Sequence, residues 1–395
     1  MRRYAAKKGL SMTTTILAGT TKGVFLLDST DRQDWEVTGP LCDGWPINHV
    51  IGDPATGQIW AAGGSDWHGA GIWRSSDHGQ TWSLARLTKG QMDHWMENDT
   101  AFAEMIGWKP GPAPQYDGEI NAIWSLGRVG NRLYAGTKPA QLFTSDDDGT
   151  TWTVVESLAN HPSRPDWHPG AAGLVLHSIV GDPANPDKLW LGISAAGVFA
   201  TEDGGQTWDR RNRRSNAETA HAHDHAPGHD HGPDVGLCVH NFGRAPANGD
   251  LLYQQNHHGV FRSNDGGRSW DDISEGLPST FGFPIALHPH DPQTVWTLPL
   301  NGDTQGRFPP GASAAVWRTR DGGTTWEGLN DGLPTRNCFF TVLRQAMATD
   351  RAAPAGVYFG TNSGSIFATR DEGEHWDEIA RHLPTVLSVE VLERA

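Results

Sequence analysis

The chain has 395 residues, a formal net charge of −15 and three cysteines. Its acidity argues against nucleic acid or an anionic membrane as a partner, and no apolar run is long enough for a membrane-spanning helix. Cys42, Cys238 and Cys338 are odd in number and scattered, which suits a reducing cytoplasm better than a disulfide framework. Residues 1–12 are basic without the apolar core of a secretory signal and read as a disordered leader.

The first element, Thr15–Leu27, reads TILAGTTKGVFLL: two β-rich runs around a small turn, followed by Asp31 and Trp35. The same plan returns six times with a sharper ending. SSDHGQTW closes it at Ser75–Trp82, SDDDGTTW at Ser145–Trp152, and TEDGGQTW at Thr201–Trp208. SNDGGRSW at Ser263–Trp270, TRDGGTTW at Thr319–Trp326 and TRDEGEHW at Thr369–Trp376 follow. In each box the Asp carboxylate is suited to fold onto N–H groups of the turn. The Gly supplies a backbone angle that other residues resist, and the Trp opens the next strand.

The box aspartates (77, 147, 203, 265, 321 and 371) stand 70, 56, 62, 56 and 50 positions apart. A four-stranded unit of roughly 40–50 residues is a propeller blade. Seven copies therefore predict an all-β, seven-bladed β-propeller forming one domain over residues 1–395. The first repeat lacks an inner strand, and TVLSVEVL (Thr385–Leu392) is left over at the end. The C-terminal strand is expected to close the ring.

If strands run from the channel outward and each box joins the third strand to the fourth, the remaining long connections share the opposite face. Five are elaborated. Gly63–Gly71 is followed by Met92–Met105, a candidate helical segment, with Pro110, Pro112 and Pro114 extending the chain after it. Next come Asn160–Gly173, a His-rich insertion at 210–234, and Leu300–Ser313. The insertion holds His221, His223, His225, His229 and His231 and reads as a flexible loop with weak metal affinity. Loading one face in this way points to a ligand site there.

The boxes resemble the Asp-box (BNR) repeats of sialidases, sortilin-type receptors, some endoglucanases and photosystem assembly factors. HPSR at His161, LHSI at Leu176, YQQNH at Tyr253, FGFP at Phe281 and VYFGT at Val357 are similar to bacterial sialidase-like BNR/YVTN-repeat proteins. That resemblance implies a propeller and a glycosyl-hydrolase label. A sialidase also needs a three-arginine clamp and a Tyr–Glu nucleophile, for which only Tyr116 with Glu119 and Arg164, Arg336 and Arg344 offer themselves. The Arg-Ile-Pro signature of sialidases is absent, so a true sialidase is not expected.

Counting back from the second strands aligns the inner ones. His177 and His240 lie 13 residues before Trp190 and Tyr253, Asn121 lies 13 before Tyr134, and Asn48 lies 12 before Trp60. Arg344 falls near the same height, and His257 and His258 sit in the turn beside His240. His177, His240, His257 and His258 are candidate ligands for a divalent metal (Zn, Mn, Fe or Ni), resembling propeller lyases that use histidines and a Gln, here Gln254 or Gln255. The competing reading is a wet channel whose polar side chains bind water.

His177, His240 and Glu119 are the candidate catalytic groups. Arg164, Arg344, Asn48, Asn121 and Trp167 are the candidate substrate contacts. The expected activity is hydrolysis or elimination on a small polar or anionic, saccharide-like substrate. A two-carboxylate glycosidase using Asp43, Asp66, Asp99, Asp166 or Glu119 stays open. So does a non-catalytic scaffold whose loop aromatics Trp45, Trp67, Trp95 and Trp167 hold a protein or glycan.

Overall fold

The computed structural model describes residues 12–214, 234–246 and 249–394, which form seven four-stranded antiparallel sheets. The leader and most of the His-rich insertion lie outside the described residues. Blade one is composite: Val386–Arg394 is its inner strand, followed outward by Thr13–Thr20, Gly23–Ser29 and Glu36–Leu41. Thr15 opposes Leu392 and Leu17 opposes Glu390, so the C-terminal strand closes the ring. The inner strands of blades two to seven are Ile47–Gly52, Ala122–Val129, Leu176–Asp182, Val239–Arg244, Gly282–Leu287 and Met347–Thr349.

Burial follows from sandwiching each blade between two others. Thr13–Thr20 is buried almost throughout, whereas the outermost strand Glu36–Leu41 is largely exposed. Apolar clusters form between neighbouring blades, as where Trp190, Val198, Phe242, Leu252, Phe261 and Trp270 meet between blades four and five. Burying a Trp removes about 150–250 Å² from water, an upper bound near 4–6 kcal/mol per side chain.

The boxes repeat one hydrogen-bond set. Ser263 Oγ donates to Asp265 Oδ1 at 2.8 Å and accepts the Gly267 N–H at 2.7 Å. Ser269 gives its N–H to Asp265 Oδ1 (2.9 Å) and its hydroxyl to Oδ2 (2.6 Å). Gly266 and Gly267 take φ of 71° and 85°, the left-handed region that glycine enters without strain. The same bonds recur around Asp77, Asp147, Asp203 and Asp321. Blade one keeps a reduced version, in which Asp31 Oδ1 accepts the Gln33 and Asp34 N–H groups.

Boxes also latch blades together. Trp60 in blade two donates Nε1–H to Asp148 O in the box of blade three (2.9 Å), and Trp296 does the same to Glu372 O of blade seven (3.0 Å). In blades five and seven the second strand carries Tyr instead, and its hydroxyl binds a hairpin on the same side. Tyr253 donates to Pro292 O at 2.9 Å, and Tyr358 to Asp350 Oδ2 at 2.8 Å.

The segment after blade two forms helices Gln91–Asn98 and Thr100–Ile106, the second capped by the Asp99 carboxylate on Phe102 N–H at 3.1 Å. Among the described residues no helix is long and apolar enough to cross a membrane.

Candidate active site on the loop-rich face

Near their starts the inner strands of blades two to five each bulge by one residue, and the bulge residues are Asn48, Trp124, His177 and His240. A bulge re-aims its side chain out of the pleat, which is how proteins present groups at sites. The register expected for Asn121 belongs to Trp124. Blade three turns tightly at Val129–Arg132, so Trp124 stands ten residues before Tyr134 and a count of 13 overshoots. Asn121 is exposed and borders a different cleft.

Asn48 does not reach a ligand position freely. Its Nδ2 donates to Ile123 O of blade three at 2.8 Å. Beside it, His49 Nδ1 accepts the Leu126 N–H at 2.9 Å, which leaves the Nε2 proton for Glu390 Oε1 at 3.2 Å. These contacts pin the inner strands to one another around a channel cavity of about 270 Å³. His177, Ser178, Asn241, Gln345 and Glu390 are among the residues lining it.

His177 is fully buried. The Phe242 N–H donates to Asn241 Oδ1 (2.9 Å), which fixes that amide, and Ser178 Oγ spends its one proton on the same oxygen at 3.0 Å. The His177 Nδ1 at 2.9 Å from Ser178 Oγ must therefore be the donor. Its Nε2 has no hydrogen-bond partner. Burial, and then the Arg344 charge, push its pKa well below the usual histidine value, opposed by a backbone contact at Val239.

His240 is also buried and neutral. Burial lowers its pKa most, Arg344 next. Its Nδ1 lies 2.5 Å from the Gly282 carbonyl, which only accepts, so Nδ1 carries the proton and Nε2 carries the lone pair. That Nε2 faces Cys238 Sγ at 3.7 Å. The His257 ring, from the turn after the second strand of blade five, stands 5.4 Å from the His240 ring, and the His258 ring is 4.8 Å from that of His257. Cys238, His240 and His257 place one donor atom each within 4.8 Å of one another. Neither His177 nor His258 belongs to that group. Cys238 was not expected from the sequence. Its signal is the spacing Cys-Val-His, which puts two donors on one side of an extended chain.

Arg344 enters the same region from the segment before the inner strand of blade seven. Its guanidinium covers the Phe283 ring at 4.9 Å, and the His240 ring touches Phe283 at 4.7 Å. Among the described residues no carboxylate stands within ion-pair distance of it, and its Nε has no hydrogen-bond partner. Burial lowers its pKa, with the Cys238 thiol and Asp303 acting in the opposite sense. Asp303 itself is held by Arg307 at 2.6 Å and lies 3.8 Å from His257 Nε2.

The remaining candidates are placed elsewhere. Arg164 stacks on Trp167 at 4.8 Å and donates to Ala140 O at 2.9 Å, while Trp167 is buried against Phe199. Both are occupied in packing blades three and four. Glu119 is exposed, and its would-be partner Tyr116 is buried with its hydroxyl on Trp152 O at 3.0 Å. Gln255 is satisfied by Thr297 and by carbonyls of Asn256, Gly259 and Thr280, whereas buried Gln254 has no side-chain partner. Trp45 is buried, but Trp67 and Trp95 are exposed with rings 6.2 Å apart. Beside them Asp66, Asp117, His94 and Asn121 line a second cleft.

No protein-family model matches the chain. The xyloglucanase of Acetivibrio thermocellus is 25% identical over 312 residues, covering 72% of this chain and 32% of that protein. A xyloglucanase of Paenibacillus sp is 25% identical over 345 residues, covering 80% of this chain and 29% of that protein. The chain thus spans about a third of the length of these curated relatives. The GH74 xyloglucanase from Xanthomonas campestris superposes with a TM-score of 0.61 at 18% identity, covering 93% of this chain and 52% of that one. That likeness is one of fold. These relatives are xyloglucanases, not sialidases, and the sialidase-like resemblance is carried no further than the propeller and its repeat.

Proposed function

We infer that the chain is a propeller enzyme of the glycoside-hydrolase kind, acting on a saccharide that bears an anionic group. The saccharide comes from the xyloglucanase relatives. The anionic group comes from one observation: Arg344 is a half-buried cation with no carboxylate paired to it among the described residues. Leaving a partly desolvated charge unpaired is unfavourable, and a cation–π contact returns only about 0.5–2 kcal/mol of that cost. A carboxylate or phosphate on the ligand would offset the rest with charge-assisted hydrogen bonds. His177 and His240, held neutral beside it, are suited to take or pass a proton during hydrolysis or elimination.

The test is a panel of uronic-acid-containing and neutral oligosaccharides, read by mass spectrometry. Products that have gained water mark hydrolysis, and products with a new double bond mark elimination. Binding of the acidic members without turnover would favour the scaffold alternative. Turnover confined to neutral xyloglucan fragments would defeat the Arg344 reading. It would favour instead the cleft of Asp66 and Asp117, where Trp67 and Trp95 offer stacking faces.

A further inference from the structure

The Cys238–His240–His257 group shares His240 with the saccharide reading, but its geometry stands independently of it, and a metal on His240 Nε2 would leave the proton role to His177. Zinc bonds of about 2.0–2.3 Å in tetrahedral arrangement set S and N donors about 3.5 Å apart. Cys238 Sγ and His240 Nε2 are 3.7 Å apart, and all three donor atoms fall within 4.8 Å. We propose that Cys238, His240 and His257 bind a Zn²⁺ ion, with the fourth position left to solvent or to Asp303.

Three features support this beyond proximity. The Nδ1–H of His240 is fixed on the Gly282 carbonyl, which aims the Nε2 lone pair at the site; metal-ligating histidines are oriented by this kind of outer hydrogen bond. Two neutral imidazoles bring no charge, and a thiolate supplies the negative charge a dication needs beside Arg344. A thiolate with imidazoles also selects zinc over the oxygen-preferring magnesium, calcium and manganese. Finally, the ligands come from rigid positions: a strand bulge in His240, the residue bridging Ser194 in Cys238, and a tight turn in His257. Three protein ligands with an open fourth position are the arrangement of zinc sites that bind water or substrate rather than of closed structural sites. On binding, the Cys238 S–H loses its proton to solvent and the sulfur donates its electron pair to the metal, with no change of oxidation state.

The experiment uses the full chain stripped of metal, in a background where His221, His223, His225, His229 and His231 are replaced by Asn. This removes the His-rich tract as a competing site. Co²⁺ serves as the optical probe and Zn²⁺ as its competitor. The proposal expects one Co²⁺ per chain, with a thiolate-to-cobalt charge-transfer band in the near ultraviolet that is erased by Zn²⁺. Cys238→Ser should abolish the band, and His257→Asn should weaken Co²⁺ binding at least tenfold. Absence of the band in the parent, or its persistence in Cys238→Ser, overturns the proposal. If Cys238→Ser does not fold, His257→Asn decides in its place: it alters a turn position, and unchanged affinity in that variant also overturns the proposal.

Discussion

Trp190 of blade four donates its Nε1–H to the Gly266 carbonyl in the box of blade five, at 2.9 Å. The same carbonyl accepts Arg211 Nη1 at 2.7 Å. A box is therefore both a turn and a receptor for its neighbour, which explains why Trp recurs in the second strand of blades two, four and six. The bond lies on the side of the ring opposite the candidate site, so damage to a box should register in stability and leave ligand binding alone.

Asp265→Ala should lower unfolding free energy by about 1–2 kcal/mol, because it strips acceptors from Ser263 and from Ser269 N–H and hydroxyl. Denaturant titration reads the loss. Normal stability with abolished ligand binding would mean that the faces are assigned the wrong way round.

Acid should weaken the ring in a defined window. Asp77 is held down to about 2 by the Thr81 hydroxyl and then its N–H, and Asp203 likewise by Thr207. Asp147 is held to about 2 by the N–H and then the hydroxyl of Thr151. An unfolded Asp titrates near ~3.9. The unfolded chain thus binds more protons between these values, so the stabilisation is complete above pH ~4 and is lost as pH falls towards ~2. Melting temperatures measured across this range should fall steeply in the wild type. They should fall less in Asp77→Asn, which begins lower but has one fewer carboxylate to protonate.

Removing residues 383–395 should leave Thr13–Thr20 without its inner partner, since Val386–Arg394 pairs along its length. An exposed strand edge invites association with other chains, and the product should be largely insoluble. A truncated chain that stays monodisperse and melts at the wild-type temperature would contradict closure by this strand.

Arg344→Gln should weaken binding of acidic oligosaccharides by roughly 10- to 100-fold, the worth of a charge-assisted hydrogen bond of about 1.5–3 kcal/mol. Neutral oligosaccharides should bind unchanged. Calorimetry on the two ligand classes separates these outcomes, and equal losses for both would point to a folding defect instead.

Replacing residues 220–233 with a short Gly/Ser linker should leave the melting temperature unchanged. Arg213 bridges Asp234, and Val235 N–H donates to Asn212 O at 2.8 Å, so the insertion begins and ends at neighbouring points of blades four and five. Shortening such a loop alters closure entropy by only about 0.6 kcal/mol per halving. Loss of folding on replacement would show that the insertion packs against the blades.

The boxes made the propeller legible because each is local: Ser263, Asp265, Gly267 and Ser269 complete their bonds within one octapeptide. The candidate site is assembled otherwise. Trp124 replaced Asn121 at its register because the length of a hairpin shifts every position before it. Arg164 and Trp167 looked like ligand contacts from composition, yet their partners, Ala140 and Phe199, come from other strands that the local sequence does not reveal. Cys238 is legible only as the short spacing Cys-Val-His, because a thiol at another position leaves no mark in histidine spacing.

The closing strand also sets an order in time. Arg394 Nη2 donates to Thr15 Oγ1, a hydrogen bond between residues 379 positions apart. At ~5–20 residues per second, the ribosome delivers that partner roughly 20–75 seconds after Thr15 has been made. Throughout synthesis the earliest strands therefore wait with an open inner edge, and six later blades are completed before the first. The nascent chain depends on whatever shields that edge in the interval, so its yield should respond to translation speed and chaperone supply more than to the stability of the finished ring.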